Sequence, residues 1–356
     1  MNYQVINTPL SDKTFSNRHY CLSFKDAYVK HKDFEMVKGI GKGWLEVVHE
    51  GLELELDNTD PQRIGRHDLI YNQNKSNNDL YFDELIDKDV FLFYDSAGLN
   101  YAHFFFNLFS KILYYEKLSI SNLTIGIPED FYQEEGNSNF IKQWLDLYLK
   151  DKSVDIIVFK KHIRYKISNL IIPNVQYCFP EPVGERLVLN KIKEIANKIP
   201  AIETNSKGCY ISRQDTIKRG WYHKRELLNE IELIDQIQSK LGYDIIELMD
   251  YDMIQKIQIF KSYKNIIQQS SASAIGIIFS GKENTNIIIS HPKMEGWFND
   301  KLINFSSYSG APLYTLNGGG KCVGNLDPNL IDQNNLPWEL YDINNIIEVL
   351  LNLELN

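Results

Sequence analysis

Short apolar runs alternate with amphipathic segments over most of the chain, and this pattern predicts strands followed by helices. In the first half, residues 89–95 (DVFLFYD) predict a buried strand, and residues 102–118 predict a helix whose apolar side chains recur three and four positions apart. Strands at 123–128 and 154–160 flank a helix at 139–150. Repeated strand–helix units with short connections indicate a parallel sheet covered by helices.

Two parts of the first half depart from that alternation. Residues 1–85 mix short β-like runs with polar loops, and 44–56 alternate well enough for a hairpin or an edge strand. Residues 168–185 carry three prolines and predict an irregular crossing segment. A helix over 186–201 follows, with Pro200 at its end, so a domain boundary is expected there.

A new alternation begins after that boundary. Apolar runs at 208–213, 243–248, 265–269, 274–280 and 286–290 lie between or after amphipathic segments at 225–242 and 250–264. Two such alternations, separated by an irregular segment, predict an α/β protein with two Rossmann-like domains that face each other across a cleft. The expected domains are residues 1–200, residues 201–340, and a C-terminal helix at 341–356 that packs back on the N-terminal domain.

Bulk composition narrows the class of protein. The 356 residues are 43% hydrophobic and 12% aromatic, enough for sizeable cores, and the net charge of −9 argues against a nucleic-acid partner. The four cysteines are widely spaced and form no CxxC pair, so reduced buried thiols are expected rather than a zinc site or a disulfide framework.

The chain shows no signal-peptide pattern at its start and no apolar stretch of about 18 residues. The expected location is therefore the cytoplasm. Peripheral attachment to a membrane stays open at this stage.

Positive charge is concentrated just after the first strand of the second half. The cluster comprises Arg213, Lys218, Arg219, Lys224 and Arg225. In open parallel sheets, ligands bind beyond the carboxyl ends of the strands, and the Arg213 guanidinium can fork onto two phosphate oxygens. The positive charge of Arg225 lies near the positive end of the dipole of the next helix, which is unfavourable. A bound anion at that end would offset this repulsion. The alternative is a solvated basic loop paired with Asp215, Glu226 and Glu230.

Two further segments carry candidate chemistry. Ser270, Ser271 and Ser273 follow a buried strand, where small residues let backbone amides and hydroxyls approach a ligand; the alternative is a tight turn chosen for packing. His103 opens the helix after an earlier strand and has a side chain suited to a general base. A buried structural histidine is the alternative there.

Two motifs are dismissed. Residues 250–252 (DYD) resemble a metal-binding Asp-x-Asp pair, but aspartate at the start of a helix is an ordinary cap. Residues 316–322 (LNGGGKC) lack the full spacing of a phosphate-binding P-loop and predict a flexible loop.

Together these segments resemble the glycosyltransferase 61 family. The family has a strand ending in Ile-Ser-Arg, matched at Arg213, then an arginine before an Asn-Glu pair, matched by Arg225, Asn229 and Glu230. An aromatic segment with a histidine that opens a helix is matched around His103. The family's His-Gly-Ala-Gly-Leu-Thr-Asn motif is altered, because residues 270–276 here are SSASAIG.

The resemblance implies an inverting glycosyltransferase of the two-domain GT-B type. Its N-terminal domain would face the acceptor and its C-terminal domain would hold a nucleotide-sugar donor, without metal or any other cofactor. Arg213, Arg225, Ser270, Ser271 and Ser273 would bind the donor. His103 would be the catalytic base, with Asn229 and Glu230 in support and Glu230 orienting Arg225.

The implied acceptor is a glycan or a lipid-linked saccharide in bacterial surface-polysaccharide assembly, such as capsule or lipopolysaccharide, at the inner face of the membrane. Two other readings stay open. One is a catalytically silent relative that acts as a binding or scaffold subunit, and the altered motif motivates it. The other is a different two-domain α/β enzyme for phosphorylated ligands, such as a sugar-phosphate epimerase.

Overall fold

The computed structural model divides the chain into two units, Met1–Lys191 and Ile192–Asn356. The division falls within a helix, nearer the N-terminus than the predicted boundary at residue 200. The structure describes residues 3–7, 20–31, 35–37, 40–42, 45–49, 52–55, 70–74, 81–95, 98–134, 139–173, 182–214, 227, 229–290, 297–317, 321–322, 339–340 and 342–354.

The N-terminal unit is built on a mixed sheet. Its strands are β1 (Tyr3–Asn7), β2 (Tyr20–His31), β3 (Glu35–Val37), β4 (Ile40–Lys42), β5 (Leu45–His49), β6 (Leu52–Glu55), β7 (Ile70–Asn74), β8 (Glu84–Leu92), β9 (Thr124–Pro128), β10 (Ile156–Phe159) and β11 (Arg164–Pro173). The main sheet runs in the order β10-β9-β8-β11-β2-β5-β6-β7, with β1 beside β2 and with β3 and β4 forming a separate pair.

Neighbouring strands from β10 to β11 are parallel, whereas β2, β5, β6, β7 and β1 pair antiparallel. The predicted hairpin within 44–56 is confirmed as β5 and β6. The predicted α/β class is therefore confirmed, but the Rossmann-like description fits only the four parallel strands of this unit.

Strand β11 corrects the prediction of an irregular segment at 168–185. It pairs with β8 on one side and with β2 on the other, so it lies inside the sheet. Polar residues interrupt the apolar run that would have predicted this strand. They are tolerated inside the sheet because neighbouring strands supply partners: Asn169 donates to Asp89 at 2.5 Å and accepts from Ser23 at 2.6 Å. Pro173 ends the strand without disturbing it, and residues 174–181 lie outside the described part.

The helices of this unit pack an aromatic core. They are α1 (Tyr101–His103), α2 (Ile112–Lys117), α3 (Asn139–Leu149) and α4 (Pro182–Asn197), with one π turn at Phe104–Leu108 and one 3-10 turn at Phe109–Lys111 that join α1 to α2. Phe105 and Phe109 meet Trp144 of α3 edge to face, with ring centroids 5.0 and 5.5 Å apart. Such contacts add about 0.5–1.5 kcal/mol each to the burial of the rings.

The C-terminal unit holds a five-stranded parallel sheet. Its strands are β12 (Gly208–Ser212), β13 (Asp244–Glu247), β14 (Asn265–Gln269), β15 (Thr285–Ser290) and β16 (Leu313–Asn317). Their order is β13-β12-β14-β15-β16, and every neighbouring pair is parallel. A separate antiparallel pair joins β17 (Lys321–Cys322) to β18 (Glu339–Leu340).

Four helices complete the described part of this unit. They are α5 (Glu230–Leu241), α6 (Met253–Ser262), α7 (Trp297–Ser309) and α8 (Ile343–Glu354). Gly242 ends α5 in the left-handed region, at φ 65°, where glycine is the usual residue after a helix. Asp252 and Gln255 form a reciprocal capping box at the start of α6, which gives the second aspartate of the 250–252 motif its predicted capping role.

One apolar run of this unit is helical, and one expectation for the unit was wrong. Residues 274–279 of the run at 274–280 lie within a 3-10 helix at Ala272–Phe279. The C-terminal helix was expected on the N-terminal domain, whereas Ile343, Ile346, Ile347 and Leu350 of α8 are buried in the core that contains Tyr210 and Leu233. Apolar periodicity predicted the helix but carried no information about which surface covers its apolar face.

Two lysines donate hydrogen bonds to backbone carbonyls near the ends of helices in this unit. The Lys261 ammonium donates to the carbonyls of Ala196, at 3.1 Å, and Ile199, at the end of α4, and Lys193 donates to the last carbonyls of α7 at Tyr308 and Ser309. Burial lowers the pKa of both lysines. The backbone carbonyls that accept from these lysines offset part of the cost of burying their charge.

Cys21 and Cys209 are buried and form no disulfide, as predicted for them. Over the residues that the structure describes, no helix has both the length and the apolar character needed to cross a bilayer.

Candidate functional site

The strand order of the C-terminal unit creates a natural binding position. The chain passes from β12 to β13 on one side and then crosses back to β14 on the other side of β12. Connections of this kind place their helices on opposite faces of the sheet, and ligands of open α/β sheets bind beyond the carboxyl ends of the two strands concerned, which here are β12 and β14. The predicted site residues Arg213 and Ser270 directly follow these two strands.

A buried carboxylate organises the end of β12. Glu230, in the first turn of α5, is 1% exposed. Its Oε1 accepts from the Tyr210 hydroxyl at 3.0 Å, the Ser212 hydroxyl at 3.3 Å and the Arg213 backbone N–H at 2.9 Å. Its Oε2 accepts from the Gln214 amide at 2.8 Å. Four donors and the helix N-terminus offset the cost of burying this charge.

This network extends to the neighbouring strand. The Gln269 amide, at the end of β14, donates to the Tyr210 hydroxyl at 3.1 Å. Tyr210 therefore links the ends of β12 and β14 to the start of α5. The sequence analysis expected Glu230 to orient Arg225; what the structure shows is that Glu230 fixes the backbone of Arg213 and the course of the chain after β12.

The serine segment after β14 makes contacts of its own. The Ser270 N–H donates to the Ile289 carbonyl at 2.9 Å, so the sheet ladder continues one residue beyond β14. The Ser271 and Ser273 hydroxyls lie 2.6 Å apart, and Ser273 donates to Gln268 Oε1 at 3.2 Å. Two of the three predicted donor-binding serines are thus engaged with each other and with Gln268.

Two buried donors at this edge have no protein acceptor within the described part of the chain. They are Gln268 Nε2, on a side chain with no exposed surface, and Ser270 Oγ, on a side chain that is 5% exposed. A buried polar group without a partner costs about 1–3 kcal/mol, so such groups call for an explanation, and a ligand is one. Sequence analysis missed Gln268, because a glutamine inside an apolar strand gives no motif.

Arg213 is partly buried and lies where the sequence placed it, directly after β12. Arg225 lies outside the described residues, so its place beside Arg213 stays a prediction. Asn229 precedes α5, but its side chain makes no capping bond to the helix.

His103 lies beyond the carboxyl end of β8 in the N-terminal unit. The Asn100 side chain caps the helix by accepting from the N–H groups of Ala102 and His103, at 3.0 and 3.3 Å. The Asn107 amide donates to His103 Nδ1 at 3.3 Å, so the neutral ring carries its hydrogen on Nε2. Burial lowers the pKa of His103 below 6.5, and the negative charge of Asp95 opposes that shift in part.

The π turn at Phe104–Leu108 includes Asn107, four residues after His103 and 4% exposed. π turns inside helices are frequent at functional sites. Neither Asn107 nor Asp95 stood out in the sequence. Asn107 lies four residues after His103, a spacing at which side chains of a helix meet, so a local signal for that pair was present. The effect of the Asp95 charge depends instead on how the chain after β8 packs beside the helix. Within the described ranges, no group of three or more His, Cys, Asp or Glu residues is placed to hold a metal ion.

Fold and geometry together define an α/β protein with a candidate ligand site at the carboxyl edge of its C-terminal sheet and an ionisable histidine beyond a strand of its N-terminal sheet. The profile of the family described as Glycosyltransferase 61 matches residues 101–288, more than half of the chain. The chain belongs to the glycosyltransferase 61 family, as the sequence motifs predicted. No curated protein gives a significant match.

The matched segment begins just before His103 and includes β12, α5 and β14. Family membership assigns the protein to the glycosyltransferases, a class of enzyme that uses a donor and an acceptor substrate.

Proposed function

We propose that the protein is an inverting, metal-independent glycosyltransferase of the GT-B type. It would move a sugar from a nucleotide-sugar donor to a hydroxyl of a glycan acceptor, with no cofactor besides its substrates. The observation that carries this proposal is the carboxyl edge of the C-terminal sheet in a chain of this family. Arg213 directly follows β12 there, and Gln268 and Ser270, at the end of β14, have donors with no acceptor in the described part of the chain.

In the proposed reaction the acceptor oxygen forms a bond to the anomeric carbon while the bond from that carbon to the diphosphate oxygen breaks. The electron pair of the broken bond stays on the diphosphate, whose negative charge therefore grows. Arg213 and Arg225 would neutralise that charge, and removal of one such contact typically costs a few kcal/mol in the transition state. Glu230 would support Arg213 through its backbone N–H, at 2.9 Å.

His103 would take the proton of the acceptor hydroxyl. Burial lowers its pKa, so the ring is neutral near pH 7 and able to accept a proton. The neutral ring carries its hydrogen on Nε2, so it can take the acceptor's proton on that nitrogen only after this hydrogen has moved to Nδ1. The Asn107 amide must then turn and present its oxygen to the Nδ1–H group. The Asn107 side chain can serve both states of the ring, because its amide has a donor N–H₂ group and an acceptor oxygen.

The acceptor we propose is a growing surface polysaccharide or a lipid-linked saccharide in a bacterial cell, such as a capsule or lipopolysaccharide precursor. The enzyme would act in the cytoplasm, at the inner face of the membrane. The support is the family to which the chain belongs.

A donor panel tests the proposal. The purified chain is screened by thermal shift with nucleoside diphosphates and their sugars, and donor hydrolysis or transfer is then measured. At 100 times its dissociation constant, a ligand stabilises the folded state by about 2.7 kcal/mol. Arg213→Ala should abolish turnover of the best donor, whereas Arg186→Ala, at an exposed site on α4, should not change it. Near-normal turnover in Arg213→Ala would exclude the proposed role of that arginine.

A catalytically silent binding or scaffold subunit is the second candidate. The altered motif at 270–276 and the mutual engagement of Ser271 and Ser273 favour it. Such a protein would stabilise with a sugar nucleotide yet show no hydrolysis or transfer with any donor of the panel.

A further inference from the structure

The Gln268 amide has a fixed orientation. Its Oε1 can only accept, so the Ser273 hydroxyl donates to it at 3.2 Å. Ser273 has one hydrogen and therefore accepts from Ser271, whose hydroxyl lies 2.6 Å away. This relay of Ser271, Ser273 and Gln268 holds the amide oxygen toward Ser273 and leaves both N–H groups of Nε2 without a protein acceptor in the described part of the chain.

Gln268 and Ser270 share one face of the sheet. Side chains along a strand alternate between faces, and the ladder bond from Ser270 to Ile289 extends the strand as far as Ser270. Gln269, between them, turns to the opposite face, where it meets Tyr210. The two unpartnered donors therefore lie together on the face that does not carry the Glu230 carboxylate.

The chemistry of this pair indicates what it binds. The N–H₂ group of the Gln268 amide can only donate hydrogen bonds, and the hydroxyls of Ser271 and Ser273 that orient it carry no charge. An ionised group is costly to bury without a charged partner, whereas a neutral acceptor oxygen loses little when it meets two N–H donors. We infer that Gln268 and Ser270 form a subsite for a neutral acceptor oxygen of the donor, either a nucleobase carbonyl or a sugar hydroxyl.

This inference rests on the proposed function and adds a specificity-determining residue to it. Ser271 and Ser273 then act as positioning residues for Gln268, and the diphosphate is left to the arginines. The altered 270–276 segment is thereby explained as an orienting device for an amide that sits on the preceding strand.

The experiment compares wild type with Gln268→Met, a substitution of similar volume that removes both N–H groups. Titrations use inorganic pyrophosphate, the best nucleoside diphosphate and its sugar nucleotide. Gln268→Met should weaken the sugar nucleotide about tenfold and leave pyrophosphate unchanged. Ser273→Ala, which frees the amide to turn, should weaken it by a smaller factor. Gln238→Met on the exposed side of α5 is the matched control and should change nothing.

Titration with the free nucleoside diphosphate shows whether the bound oxygen belongs to the nucleobase or to the sugar. If Gln268 binds the nucleobase, the diphosphate and the sugar nucleotide weaken together; if it binds the sugar, only the sugar nucleotide weakens. Both results support the inference. Two results overturn the inference while the proposed function stands. One is an unchanged affinity of Gln268→Met for the sugar nucleotide, and the other is a loss of pyrophosphate affinity equal to the loss for the sugar nucleotide. A wild-type protein that binds no nucleotide overturns both.

Stability provides an independent readout that a structural role would not give. Gln268→Met removes a buried amide N–H₂ that lacks an acceptor in the described residues; it also removes the acceptor of Ser273, whose partly exposed hydroxyl can turn to water. The ligand-free variant should therefore melt at a higher temperature than wild type even though it binds the donor less well. A variant that loses both stability and binding of every ligand would indicate a structural role for Gln268 and contradict the inference.

Discussion

The hydroxyl of Tyr210 donates to the carboxylate of Glu230 at 3.0 Å, entirely within the core of the C-terminal unit. This bond joins β12 to the first turn of α5, the helix that follows it. Because the same carboxylate holds the Arg213 backbone, the bond connects the stability of the unit with the geometry of the proposed site.

Loss of the Glu230 carboxylate should destabilise the protein. Glu230→Ala leaves Tyr210, Ser212 and the Arg213 N–H without their acceptor, and we expect a cost of about 3 kcal/mol in the free energy of unfolding. Denaturant unfolding measures it. Glu232→Ala, an exposed position in the same helical turn, is the control and should change the free energy by no more than about 0.5 kcal/mol. An equal loss in the free energy of unfolding for Glu230→Ala and Glu232→Ala would show that the hydrogen bonds of Glu230 do not stabilise the protein.

Gly276 should not tolerate a side chain. A Cβ built on it would lie 2.1 Å from the Phe260 ring, which is fully buried and has no room to move away. Gly276→Ala should cost about 1–3 kcal/mol, seen as a lower unfolding midpoint. Gly281→Ala is the matched control, because the nearest atom to its added Cβ lies 3.7 Å away. Adding Phe260→Leu to Gly276→Ala should recover part of the loss, and a purely additive double variant would argue against the predicted clash.

The pH dependence of turnover should report on His103. As a base it must be neutral, so kcat/KM should fall as pH drops through its pKa, which burial holds below 6.5. Asp95 raises that pKa, so Asp95→Asn should move the acidic limb to lower pH. Asn107→Asp places a carboxylate beside Nδ1 and should move the limb to higher pH. If neither variant moves the limb, His103 is not the titrating group.

Lys261 should contribute to stability through the end of α4. Lys261→Met removes the donor that serves Ala196 and Ile199, and we expect a loss of about 1–3 kcal/mol. Lys264→Met, at an exposed site nearby, is the control. The pKa of Lys261 is lower in the folded state than its ordinary value of 10.5. The unfolded state therefore binds more protons between those two values, and wild-type stability should gain from rising pH there in a way that Lys261→Met does not.

Local pattern was sufficient for most elements of the C-terminal unit. The strand at 208–212 and the helices that begin at Glu230 and Met253 lie within the predicted segments, since apolar spacing, Gly242 and the 250–252 aspartates mark them chemically. Strand β11 was missed because its polar side chains are matched by partners about 80 and 146 positions away along the chain. Such partners cannot be seen in a local window.

By itself the sequence determined the α/β class, the family and the position of Arg213 after a buried strand, because these depend on short-range spacing and on motifs. Only the tertiary structure decided that Glu230 accepts from Tyr210 and from the chain after β12, and that the two N–H groups of Gln268 have no acceptor in the described residues. Hydrogen bonds between side chains depend on distances of about 3 Å. Strand pairing and helix packing set those distances, and no pattern along the chain specifies them.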